Sequence, residues 1–188
     1  LELQKRGIKI SINNLITILK SEFVPHYNPI KNYFENLVQQ SKFLNDFVGF
    51  FSREWAEKKN TVKGLQEPVL SLWKYELGFD GPENNTIAVR KIGFAIMYNE
   101  VKPDDLEAQY NAIHNAEALA IKVLSRIRHD NYDNSHFLYN SFIKESVEFS
   151  PVELSRDEFG VEVTFNLKNK QLLQVHQEDW KDIPHECL

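Results

Sequence analysis

The chain has 188 residues, 42% of them apolar and 12% aromatic, and a net charge of −5. A chain of this size buries roughly 70% of its unfolded surface and needs no disulfide or metal staple; its single cysteine, Cys187, has no partner for an internal bridge. The composition excludes disorder, and the mildly acidic balance excludes a general attraction for nucleic-acid phosphates.

Ser11 is placed to cap a helix over residues 12–23, with Ile12, Leu15, Ile16 and Leu19 on one face. Pro25 ends it. Asn28 and Pro29 supply the N-cap and first position of a second helix, whose stripe is Ile30, Tyr33, Phe34, Leu37 and Val38. A third helix is expected over 41–58, with Phe43, Leu44, Phe47, Phe50, Phe51 and Trp55 as its apolar side. Lys58-Lys59-Asn60 closes this helical region.

From Pro68 the period changes to two. A strand is expected over 68–79, with Val69, Trp73, Tyr75, Leu77 and Phe79 on one side and Ser71 as the exception. Asp80-Gly81-Pro82 and Glu83-Asn84-Asn85 make a turn-rich connection, and the formal glycosylation sequon at Asn84-Asn85-Thr86 is read as part of that turn. A second strand follows over 86–98. Its apolar phase slips across Arg90-Lys91, which predicts a bulge or a change of partner there, and Gly93 would permit close backbone approach.

A long amphipathic helix is expected over 103–129, about 40 Å at ~1.5 Å per residue. Asp104, Asp105 and Glu107 sit at its positive end, and Lys122, Arg126, Arg128 and His129 at the other. Leu106, Tyr110, Ile113, Ala116, Ala120, Leu124 and Ile127 define its core face. Residues 129–136 read as a loop. A strand over 142–149 is expected to halt before Pro151. In the last strand Phe159, Val161, Val163, Phe165 and Leu167 point one way, and Gly160, Glu162, Thr164, Asn166 and Lys168 the other. These elements predict an α+β fold: a mostly antiparallel sheet of about four strands packed on one long helix. The organisation expected is an N-terminal helical segment (1–60), a core domain (61–168) and a tail (169–188). No apolar run approaches the ~20 residues of a membrane span. LELQKRGIKI lacks the apolar stretch of a leader and reads as mature or cytosolic sequence, while a start at Leu1 suggests a trimmed or partial chain.

Little in the sequence points to chemistry. It contains no GxxxxGK[ST], no GxGxxG and no GxSxG. Cys187 with His185 is read as incidental rather than nucleophilic. His176, His185 and Cys187, with Glu178 and Asp179, match no common zinc spacing. His129, Asp130, Asp133 and His136 follow a helix C-terminus and read as dipole complements. The acid pairs Asp104-Asp105, Asp157-Glu158 and Glu178-Asp179 read as solvated caps. Two basic faces, Lys122/Arg126/Arg128 and Lys58/Lys59/Lys63, lack the interleaved aromatics of a single-strand platform. No catalytic, cofactor-binding or metal residue is assigned, and the expectation is a protein that is not an enzyme. Two features suit assembly: the final strand's Glu162, Thr164 and Asn166 face, which would leave an edge to pair with a neighbour, and terminal segments that would reach adjacent subunits or complete the monomer core.

The segments IGFAIMYN, PDDLEAQYNAIHNAEALAIKVLSRIRHD and VEFSPVE…DEFGVEVTFNL resemble tail-completion or tail-terminator proteins of tailed phages and phage-like elements, particularly those of low-GC Bacteroidetes-type genomes. The resemblance covers about residues 68–167; the helical segment up to Lys59 is longer than that pattern has. It implies a small α/β domain that forms a homo-oligomeric ring at the head–tail joint or the end of the tail tube. It further implies contacts with tail-tube or neck proteins, a place in the virion after assembly in host cytoplasm, and no catalytic residues. Neither a membrane nor direct nucleic-acid binding is expected. A second, local resemblance lies in ISINNLITILKSEFVPHYNPIKNYFENL, which looks like a stretch of the primase/virulence-associated E proteins. There an NPI…YF…L helix precedes a helicase-like ATPase; here the following Trp-Asp-Gly and any nucleotide-binding loop are missing. It implies, as the alternative, a nucleic-acid-processing accessory module. A small enzyme with an unrecognised site has no residue in its favour.

Overall fold

The computed structural model describes residues 27–171, 173–176 and 179–182; the helix expected over 12–23 lies outside them. Helix α1 (Tyr27–Gln40) buries Ile30, Phe34, Leu37 and Val38, the stripe read from the sequence. It already includes Tyr27 and Asn28, so Asn28 is not its cap.

The single helix expected over 41–58 does not form. Ser41 Oγ donates to the Val38 carbonyl (3.0 Å) and accepts from the Leu44 amide (3.0 Å), turning the chain at once. Strand β1 (Asp46–Val48) follows, then a short helix α2 (Ser52–Lys59). Phe47 and Val48 serve different hydrophobic clusters, as neighbours on a strand must. The aromatic spacing that imitates a helix is tertiary in origin: β1 is held by parallel pairing with Val69–Ser71.

Strand β2 (Val69–Asp80) and strand β3 (Ile87–Tyr98) pair antiparallel through a turn in which Gly81 takes φ +86°, open to glycine at little cost. Helix α3 (Leu106–Tyr132) crosses back, and β4 (Phe142–Ser155) and β5 (Glu158–Lys170) complete the sheet. Its order is β1-β2-β3-β5-β4. The fold is mixed α and β, but the sheet has five strands rather than four, one pair is parallel, and three helices accompany it among the described residues. Strand β5 lies between β3 and β4, so it offers no edge; the edges belong to β1 and β4.

The bulge is also displaced from its expected place. β3 runs in unbroken register with β5, from Ile87 opposite Lys170 to Tyr98 opposite Phe159. The irregularity is in β2, between Leu72 and Lys74. It puts Val69 in one cluster and Tyr75 against the other, so the side assigned to residues 69–79 is split. Arg90 causes the apparent slip in β3: it occupies a core-face position and is 1% exposed. Its Nε donates to Tyr75 Oη (3.3 Å) and its Nη1 donates to Asn169 Oδ1. Likewise Pro151 does not halt β4, which continues to Ser155 with Pro151 opposite Val161. An edge strand tolerates the missing N–H.

Asp105 caps α3, its Oδ1 accepting from the Ala108 amide at 3.0 Å. The helix buries Ala112, Ala116, Ala120, Val123 and Ile127, and continues past His129 to Tyr132. Leu106 and Tyr110, expected in the core, are 67% and 68% exposed. The alanine stripe lets the helix axis approach the sheet and turns the adjoining Leu106–Tyr110 stripe outward. Both α1 and α3 cover one face, where Phe34, Phe94 and Phe165 meet at ring distances of 5.6 and 6.4 Å. The opposite face holds only a small cluster: Val48, Trp55, Leu65, Val69, Ala95 and Met97. No described helix is long and apolar enough to cross a membrane.

Candidate functional site

The most elaborate polar arrangement surrounds Asp130 in the last turn of α3. Its side chain is 6% exposed and accepts from Tyr33 Oη (2.9 Å) and from Arg126 Nε (2.9 Å to each oxygen). His129 Nδ1 lies 3.1 Å from the same carboxylate. Burial alone would raise the Asp130 pKa; hydrogen bonds from His129, Tyr33 and Arg126 outweigh it and hold the carboxyl below its usual range. Tyr33 is pushed the other way, first by burial and then by the Asp130 charge. His136 stacks on Phe137 at 4.8 Å, and its Nδ1 accepts from the Leu138 amide (3.2 Å). Burial lowers its pKa and favours the neutral ring. A cleft of about 140 Å³ opens beside Tyr33, Arg126, Asp130 and His136.

Of the four residues grouped by sequence, the fold gathers His129, Asp130 and His136 around a tyrosine 97 residues away. Asp133 instead accepts from the Ser135 amide and hydroxyl (2.9 and 2.7 Å). Every oxygen of Asp130 is committed, and it joins α3 to α1. This is the bonding of a tether.

Glu158 makes a second tether. Trp55 Nε1 (2.9 Å) and Lys59 Nζ (2.7 Å) both donate to its Oε1, fixing α2 on β5. Burial raises its pKa, but the Lys59 and Trp55 hydrogen bonds dominate and depress it. The reading of Asp157-Glu158 as a solvated pair therefore fails for Glu158, whose side chain is 5% exposed. Asp105 is the cap that the other pair was taken for. The basic faces are dispersed: Lys122 lies over Phe43, Arg128 over Tyr132, and Lys58 pairs with Asp46. His176 and Asp179 are exposed, while Glu178, His185 and Cys187 lie outside the described residues. Among the described residues, no group of His, Cys, Asp and Glu is placed to hold a metal.

Two hollows with apolar linings flank strand β4. On the sheet face away from α1 and α3, Trp55, Trp73, Ala95, Met97, Val152 and Leu154 line a hollow of about 220 Å³. The β2 bulge creates it by turning Trp73 over Gly93, where a Cβ would stand 2.9 Å from the indole. Gly93 thus has the close approach read from the sequence. On the helix side of β4, Leu106, Tyr110, Ile113, Pro151 and Phe159 line a second hollow of about 320 Å³, and Val152 borders both. Trp73 and Leu154 are 42% and 58% exposed.

No protein-family model matches the chain, and no curated protein is significantly similar to it. Sequence reasoning missed Tyr33 as a polar partner and Trp73 as a surface residue. Tyr33 carried a signal of its own, since it is the one hydroxyl on an otherwise apolar stripe.

Proposed function

We propose that this chain is a non-enzymatic structural subunit of a tailed phage or phage-like particle. In this reading it is a tail-terminator, tail-completion or neck protein that closes into a homo-oligomeric ring and contacts tail-tube or neck proteins. The observation that carries the reading is the apolar surface wrapped around the β4 edge. One sheet face lies under two helices, while the other, and the exposed first turn of α3, keep large apolar side chains in contact with water. Contiguous patches of this kind mark interaction sites on proteins that otherwise bury such groups. The segments that resemble the tail-completion pattern are β3, α3, part of β4 and β5; β3, β5 and β4 are neighbours in the sheet and α3 packs on it.

The accessory-module alternative draws less support. The helix that resembles the primase-associated segment is a core element, with Ile30 and Phe34 buried beneath the sheet. Arg126 is bound to a carboxylate, and Lys122 and Arg128 lie over aromatic rings.

Negative-stain electron microscopy of the purified full chain tests the proposal. Closed rings, alone or capping co-expressed tail tubes, are expected; dispersed monomers that never join a tube would sink it. A gel-shift with labelled single- and double-stranded DNA separates the alternative, which predicts salt-sensitive binding.

A further inference from the structure

Helix α3 keeps an exposed stripe that its own packing does not use. Tyr110, Ile121 and Tyr132 are 68%, 50% and 67% exposed. Their numbers step by eleven, three turns of helix. At ~100° per residue they fall in one line, about 140° round the helix from the side that buries Ala112, Ala116, Ala120, Val123 and Ile127. Glu117 and Arg128, both exposed, share the same step and stand beside that line. Lys122 is on the opposite flank, over Phe43.

We propose that a second copy of this chain covers the stripe, its α3 running antiparallel to the first about a two-fold axis at Ile121. The inference goes beyond the ring reading, because a two-fold contact closes after two copies and does not propagate.

Symmetry and charge name the occupant. Tyr110 and Tyr132 are equally far from Ile121, so two copies laid together with Ile121 on the axis bring Ile121 against itself and tyrosine against tyrosine in either direction. Charge chooses the direction. The exposed acids of α3, Glu107 and Glu117, precede Ile121; the exposed bases, Lys122, Arg126 and Arg128, follow it, and the later Asp130 is buried. Parallel pairing would set Glu117 on Glu117 and Arg128 on Arg128. Antiparallel pairing sets Glu117 about 4.5 Å along the axis from the second copy's Arg128, within one turn, and opposes the two helix dipoles. Arg128 lies over its own Tyr132 ring at 5.9 Å, at the level where the second copy's Tyr110 arrives. A cation between two aromatic rings is a favourable contact of its own.

Disulfide trapping in the full chain tests this, in a Cys187→Ser background. Ile121→Cys alone should give a disulfide-linked dimer of twice 22.0 kDa on a non-reducing gel. Tyr110→Cys and Tyr132→Cys should each give none alone and should give one when mixed. Dimers from Tyr110→Cys alone would mean parallel pairing, and no dimer from Ile121→Cys would leave the stripe to a different molecule; either overturns the proposal.

Charge reversal supplies an independent readout. Glu117→Arg or Arg128→Glu should each raise the dissociation constant of the pair about tenfold in mass photometry, because each alters two contacts per dimer. Both changes in one chain should restore it. The two positions are about 16 Å apart along their own helix, so the rescue comes only from another copy. Single reversals without effect, or a double reversal without rescue, would overturn the contact. All of these positions are exposed, and the far-UV circular dichroism should be unchanged. Closed rings without the Ile121→Cys disulfide would remove this contact and leave the ring reading standing. Disulfide-linked pairs that never form rings would do the reverse.

Discussion

Along β3, Ile92, Phe94 and Ile96 are fully buried beneath α1 and α3. Their alternate neighbours on the other side are Gly93, under Lys74 and the Trp73 indole, and Ala95 and Met97, which pack in the smaller cluster with Val48, Trp55, Leu65 and Val69 beside an open hollow. One strand therefore serves two environments. The covered side uses large side chains that interlock. The open side buries a smaller set around Trp55 and Met97, and leaves Trp73 and Leu154 at the rim. The difference teaches where stability resides and where a partner can sit without altering it.

The contrast breaks first if the covered face is not the main source of stability. Phe94→Ala, at the junction of Phe34 and Phe165, should cost about 3–5 kcal/mol in urea denaturation. A loss under about 1 kcal/mol would mean that the core tolerates the cavity by collapse. Asp130→Ala should cost less, about 1–3 kcal/mol, because it strands the buried Tyr33 hydroxyl while Arg126 remains half in water. Retention of that loss in a Tyr33→Phe background would show that the tether is not what Asp130 supplies.

The same cluster predicts a pH dependence. The folded pKa of Asp130 is depressed, so its contribution is complete above the unfolded value near 4 and is lost as pH falls through the folded one. His136 is a base with a lowered folded pKa, so the unfolded chain gains its proton first and stability declines as pH drops below about 6.5. The urea midpoint should be flat above pH 7, decline gently below it, and fall more steeply in the acid range. His136→Asn should remove the gentle phase and keep the steep one. The smallest effect belongs to the open face: Leu154→Ser should change stability by no more than about 0.5 kcal/mol while weakening assembly.

What the sequence revealed follows the range of the forces involved. The α1 stripe, the body of α3 and the alternation of β5 are local patterns, and they appear where expected. Strand β1 was illegible because three residues paired to a segment more than twenty positions away carry no period of their own. Arg90 disguised a continuous strand as a slipped one, since a buried cation satisfied by Tyr75 and Asn169 looks polar in sequence. Pro151 looked like a stop because nothing local announces that β4 is an edge. The Asp130 cluster was half legible: its helix-end members are adjacent in sequence, but the hydroxyl that makes it a tether comes from α1. The open-face hollow had no local signature, because it depends on a bulge that only pairing reveals.

Mass in solution tests the central claim most directly. Light scattering on the full chain at micromolar concentration should give a single species of two or more times 22.0 kDa, shifting toward one copy in Leu154→Ser. A wild-type chain that remains at the mass of one copy as its concentration rises, with and without tail-tube or neck proteins, would contradict it.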